Sequence, residues 1–131
     1  MGLDIDCKCE TISFRAGSYS GFGYFREKLA EASGFDLNQM EGFHHDKDYG
    51  ELSGSKPWTG QEPFYEILDH SDCDGVLTPK QCAKLLSDFE KYAEGFKKLP
   101  LEAQSWYVDR YNLWIDAIKH STEKCCTLRF G

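Results

Sequence analysis

A chain of 131 residues and 15.0 kDa, with 40% apolar and 28% charged residues, has the size of one compact domain, here residues 1–131, whose core needs neither disulfides nor metal to persist. Acidic residues outnumber basic ones by 22 to 15, and the net charge of -7 disfavours nucleic acid as a partner, because affinity for a phosphate backbone comes from cationic neutralisation. The start lacks a basic leader with an apolar run, and no later window is apolar enough to span a bilayer, so no membrane association and a cytoplasmic setting with reduced thiols are expected.

Leu3, Ile5 and Cys7 alternate with Asp4, Asp6 and Lys8, the period of a half-buried strand. Cys7 and Cys9 share a face if that strand continues, and Cys125 with Cys126 falls in a second β-prone segment near the other end of the chain. A zinc site across paired terminal strands fits these positions in principle. The spacing is C-x-C with C-C rather than paired C-x-x-C, however, so the cysteines are read first as small buried apolar residues.

Gly17 to Gly23 breaks the strand period. Phe22, Phe25, Leu29 and Ala32 then recur as a helical stripe, with Ser20 as the expected N-cap and Gly34 as the stop. A small-residue loop opening on a helix presents N–H groups to anions. Arg15, Ser18, Tyr19, Ser20, Gly21 and Arg26 are therefore candidates for holding a nucleotide-like ligand. The segment is not a P-loop, because no lysine follows Gly23 at the required place, and it lacks the third glycine of a dinucleotide fingerprint. Tyr19 stands where a nucleophile elbow requires serine. An N-cap followed by a tight turn explains the same residues without a ligand.

Phe35 to Gln61 has neither strand nor helix period and reads as a long loop, with a short helix over 37–43 as the alternative. His44, His45, Asp46 and Asp48 lack the i, i+4 spacing of helical zinc ligands and read as solvated loop residues. The aromatics Phe43, Tyr49, Trp58 and Phe64 form the expected partner-contact surface, because loop aromatics serve as anchors.

Pro63 to Leu68 reads as a short helix, and an acidic turn, His70-Ser-Asp-Cys-Asp-Gly75, follows it. Counted back from the glycine of a helix–loop–helix calcium loop, His70 falls first, Asp72 third, Asp74 fifth and the Val76 carbonyl seventh, with Asp69 as a substitute first ligand. Gln81 in the closing position cannot supply a bidentate carboxylate, so the turn is read primarily as structural, with Gly75 at positive φ and weak calcium binding as the alternative. Cys73 between aspartates is disfavoured as a nucleophile. Thr78, Pro79 and Gln81 give a capping box with proline in the first turn, and Cys82, Leu85, Leu86, Phe89, Ala93 and Phe96 line one helix face. A last helix is expected from after Pro100 to about His120, whose imidazole at a helix C-terminus suits the dipole. A strand at Thr127 to Phe130 is then free to pair with the first. The fold class is a mainly helical α+β domain, three to four helices with a small sheet joining the N- and C-terminal strands.

The opening Met1-Gly-Leu-Asp4, the stretch Ser18-Tyr-Ser-Gly-Phe22 with Phe25 and Arg26, and His70-Ser-Asp-Cys-Asp-Gly75 followed by Cys82 resemble a group of small uncharacterised bacterial and phage proteins. The resemblance carries no activity, but it implies a prokaryotic or viral setting in which small proteins bind host factors. The residues show no catalytic constellation and no cofactor motif. The expected function is therefore non-enzymatic binding of another protein, as an inhibitor or immunity-type factor. A nucleotide-like anion at 17–23 and a weak calcium loop at Asp69, Asp72, Asp74 and Val76 are the alternatives.

Overall fold

A computed structural model of the chain describes residues 2–9, 12–41, 56–71, 73–101 and 103–131. Strand β1 (Gly2–Cys7) has the expected alternation, with Leu3, Ile5 and Cys7 fully buried. It turns into β2 (Ser13–Ser18), which runs antiparallel to it in a register linking Gly2 with Ser18 and Asp6 with Ser13. Helix α1 (Tyr19–Ala32) starts directly after β2. The N-cap is Ser18 rather than Ser20, because the Ser18 hydroxyl accepts the Gly21 amide at 3.0 Å and so satisfies the third N–H of the first turn. A 3-10 turn at Leu37–Gln39, capped by Asp36, is the short helical element weighed for 37–43.

Helix α2 (Tyr65–Leu68) is one turn long and leads through the acidic turn into β3 (Val76–Leu77). Helix α3 (Pro79–Lys97) opens with the complete capping box of Thr78 and Gln81. After Pro100, α4 (Gln104–Lys124) runs a turn beyond His120, and β4 (Leu128–Phe130) closes the described chain. The sheet order is β2-β1-β4-β3, antiparallel throughout, so the N- and C-terminal strands are central neighbours and pair at Ile5–Phe130, Asp6–Arg129 and Cys7–Leu128. The expected helical α+β fold with a small terminal sheet is therefore the fold observed. Strands β2 and β3 enlarge that sheet beyond the two expected.

Sheet and helices share one core. Trp114 of α4 packs on Phe14, Phe22 and Phe130, and Tyr111 sits between Phe89 and Phe96 while donating its hydroxyl to the Phe89 carbonyl. Phe64, expected on a contact surface, is instead fully buried against Phe89 with its ring centroid 5.0 Å away. Its backbone is left-handed at φ 60, and the Phe64 amide donates to the Asp88 carboxylate at 3.0 Å. Lys84 ties the same corner together, reaching the Glu62 carbonyl at 2.6 Å and the carboxylates of Glu66 and Asp88 at 3.0 and 3.1 Å. These half-buried charges are thus mutually compensated. No described helix is long and apolar enough to cross a membrane.

Candidate metal centre

The two ends of the chain meet at a cluster of cysteines. Cys7 is the last residue of β1, and its amide bonds to the Ile12 carbonyl while the Lys8 amide bonds to the Thr127 carbonyl. These bonds anchor the hairpin turn that carries Cys9 directly beside the entry to β4. Helix α4 supplies His120 from its last turns and ends on Cys125, a non-glycine residue in the left-handed region at φ 53. That conformation reverses the chain as an αL cap does. It lets the Cys126 amide bond back to the Ser121 carbonyl at 3.1 Å and sends residue 126 toward the β1 end of the sheet.

One donor atom from each of Cys7, Cys9, His120 and Cys126 lies within 4.8 Å of every other. The Cys9 sulfur is 2.7 Å from the Cys7 sulfur and 3.1 Å from His120 Nε2. The Cys9 amide donates to the Cys126 sulfur at 3.1 Å, an arrangement that orients and stabilises a metal-bound thiolate. None of the six cysteines is in a disulfide. A tetrahedral ion about 2.3 Å from each sulfur sets sulfur–sulfur distances of about 3.8 Å, so ligation requires Cys7 and Cys9 to part by about 1 Å, which a small χ1 rotation supplies.

The thiols of the cluster keep one another protonated when no cation is present. A hydrogen bond with the Cys9 thiol, then burial, then the Cys7 thiol push the Cys126 thiol up to about 11, against the lowering effect of the Cys9 amide. Three sulfurs this close resist becoming thiolates together, and a divalent ion reverses that balance by compensating their charge. Three sulfurs and an imidazole in one cluster can hold a metal ion. The remaining thiols lie elsewhere. Cys82 is buried in the core, and burial raises its thiol despite a hydrogen bond with Ser121; Cys73 and Cys125 are exposed.

The other candidate residues are arranged differently. In the acidic turn the interior is filled by an imidazole: His70 Nδ1 lies 2.8 Å from the Ser71 carbonyl and Nε2 lies 3.0 Å from the Val76 carbonyl, while the ring stacks on Phe130 at 3.9 Å. The carbonyl expected as the seventh calcium ligand is therefore engaged by His70. Gly75 has φ 96, and a Cβ there would meet His70 Cε1 at 3.0 Å, so its glycine serves this packing. Asp69 hydrogen-bonds with Tyr65 and Asp74 is exposed; Asp72 lies outside the described residues. Calcium at this turn finds no support.

At the start of α1, Ser18, Tyr19, Ser20 and Gly21 are together, with Ser18 serving as cap, but the two arginines do not converge on them. Arg15 pairs with Asp4 at 2.9 Å. Arg26 is buried beneath the acidic turn, donates to the His70 carbonyl at 2.7 Å and lies over the Phe22 ring. Gly17 is required by the indole of Trp106, which a Cβ there would approach to 3.1 Å, while a Cβ at Gly21 would crowd the capping Ser18 hydroxyl at 3.0 Å. Of the aromatic loop, Trp58 is half-buried between Phe35 and Tyr65 and donates to the Glu41 carbonyl at 2.7 Å. Phe43, Tyr49 and the segment His44 to Asp48 lie outside the described residues.

The sequence pattern points to Cys7, Cys9 and Cys126 but sets them beside Cys125 and not His120. The signal available was a histidine six residues before a cysteine, across a helix end. Comparison with family models, curated proteins and solved structures gives no match, and the functional reading rests on the geometry of the site.

Proposed function

We propose that this chain is a non-enzymatic binding protein whose terminal sheet is locked by one structural zinc ion held by Cys7, Cys9, His120 and Cys126. The observation that carries this reading is the meeting of three sulfurs and one imidazole nitrogen, drawn from β1, the hairpin turn, α4 and the entry to β4, within 4.8 Å. Soft thiolates with an imidazole suit zinc, whereas calcium and magnesium take oxygen cages. Four protein donors complete a tetrahedral shell and leave no position for water or substrate, which supports a structural ion over a catalytic one. The acidic charge of -7 favours a protein partner with a basic face, by complementarity.

The deciding experiment is elemental analysis and X-ray absorption on chain purified under reducing conditions and equilibrated with zinc. The expected result is one zinc per chain in a shell of three sulfurs near about 2.3 Å and one nitrogen near about 2.0 Å. Failure to retain zinc, or a shell dominated by oxygen, overturns the reading. The binding role is tested on the zinc-loaded chain, whose capture of a basic partner should weaken as ionic strength rises.

A further inference from the structure

The four donors differ in access. Cys7 is fully buried, Cys126 is 7% exposed, His120 is half-buried, and Cys9 alone among them is exposed, in the turn that follows β1. The most exposed of the four donor residues is also one whose sulfur has another donor sulfur 2.7 Å away. Cys125, the exposed neighbour of Cys126, is not one of the donors. An oxidant arriving from solution therefore meets Cys9 first, with Cys7 in place to complete a disulfide.

Resting on the zinc reading above, we propose that this centre is a peroxide-sensitive zinc clamp in which Cys9 is the attacking sulfur and Cys7 the resolving one. The Cys9 thiolate attacks one oxygen of a hydroperoxide, the O–O bond breaks, and hydroxide (or alkoxide) leaves, giving a Cys9 sulfenic acid. The Cys7 thiolate then attacks the Cys9 sulfur; the S–S bond forms, the S–O bond breaks, and a second hydroxide leaves. Two protons from solvent neutralise the two leaving groups. The two sulfurs lose two electrons and the peroxide gains them, while zinc keeps its charge throughout. Cys126 and His120 remain as the only protein donors, too few to hold the ion in a structural site, and it departs.

The test uses the zinc-loaded full chain carrying Cys73→Ser and Cys125→Ser, which removes both exposed thiols outside the centre. Hydrogen peroxide is added, released zinc is read with a chromogenic chelator, and thiols are mapped by mass spectrometry. Trypsin cuts after Lys8, so a Cys7–Cys9 disulfide joins the peptides Met1–Lys8 and Cys9–Arg15. The expected result is one zinc released per peroxide consumed, this cross-linked pair, and recovery of zinc binding after dithiothreitol. In Cys9→His, which keeps four donors, release should slow at least tenfold. Zinc retained under peroxide, or release with a Cys9–Cys126 disulfide or a Cys9 sulfinic acid instead, overturns the clamp while leaving the zinc reading intact. A chain that takes up no zinc overturns both.

Discussion

If Cys7, Cys9, His120 and Cys126 hold zinc only in the folded chain, thermal stability must track free zinc. Binding to the native state alone adds RT ln(1 + [Zn]/Kd), about 4.1 kcal/mol at a thousandfold excess over Kd and about 1.4 kcal/mol for each further decade. For a chain of 131 residues, an unfolding entropy of about 2.1 cal/mol/K per residue converts 1 kcal/mol into about 3.6 °C. The melting temperature should therefore rise about 15 °C over the first three decades above Kd and about 5 °C per decade after that. The assay is differential scanning calorimetry with free zinc set by chelator buffers and thiols kept reduced by a phosphine. Cys126→Ser removes one donor and should flatten the dependence, whereas Cys125→Ser, outside the cluster, should preserve it. A melting temperature indifferent to zinc, or an equal zinc response in Cys126→Ser, refutes the assignment.

Three further outcomes follow from the packing. Burial, and secondarily the Asp88 carboxylate, hold the Tyr111 phenol above its ordinary value of 10; above that pH the unfolded chain loses this proton first, so stability falls with rising pH by about 1.4 kcal/mol per unit. Tyr111→Phe should cost about 1 kcal/mol at neutral pH through the lost hydrogen bond to Phe89, and urea midpoints should show that deficit closing and reversing between pH 10 and 11. Cys125→Gly relieves a left-handed non-glycine cap at φ 53, for a net gain of about 0.5–1 kcal/mol in chemical denaturation with zinc binding kept. Gly75→Ala, at φ 96 and with His70 Cε1 3.0 Å from the new methyl, should lose about 1–3 kcal/mol, and millimolar calcium should shift the melting temperature of neither protein.

The elements legible in the sequence are those whose signals are local. Thr78, Pro79 and Gln81 specify a helix start within four residues, and Leu3, Ile5 and Cys7 specify a strand by alternation alone. Strand β2 was opaque because Ala16 and Gly17 are both buried, beside an irregularity between Leu3 and Asp4 that shifts the register. Strand β3 has two residues and exists only through pairing with β4. Arg26 carried a readable warning: it falls on the α1 face of Phe22, Phe25 and Leu29, where a side chain is more readily enclosed than offered to a ligand. Phe64 carried none, since its left-handed backbone is held by Asp88 from another helix. The Cys/His cluster is half legible for a similar reason. The turn that brings Cys126 back to Cys9 uses a left-handed cysteine where glycine would have announced a cap, and the cysteine that His120 meets is 111 residues away.

The position of the cluster explains why a metal would matter to this fold. Strand β4 has three residues and meets β1 through three residue pairs, the outermost joining Ile5 to Phe130 across nearly the whole chain. So short a ladder cannot offset such a loop closure by itself. A cross-link between Cys7 and Cys126 constrains that same loop, for which chain-entropy arguments give about 4.7 kcal/mol per 100-residue closure by a covalent bond; a labile metal acts in the same direction. By contrast, α3 and α4 contact each other through Phe89, Phe96 and Tyr111, none of which belongs to the cluster. Stripping zinc should consequently loosen the sheet before the helices. In native-state hydrogen exchange, amides of 3–7 and 128–130 should lose at least tenfold protection on metal removal, while those of the α3 interior around Leu85 and Phe89 stay within about twofold. Equal loss in both regions would mean that the cluster stabilises the domain as a whole, and no loss in either would mean that the sheet stands without it.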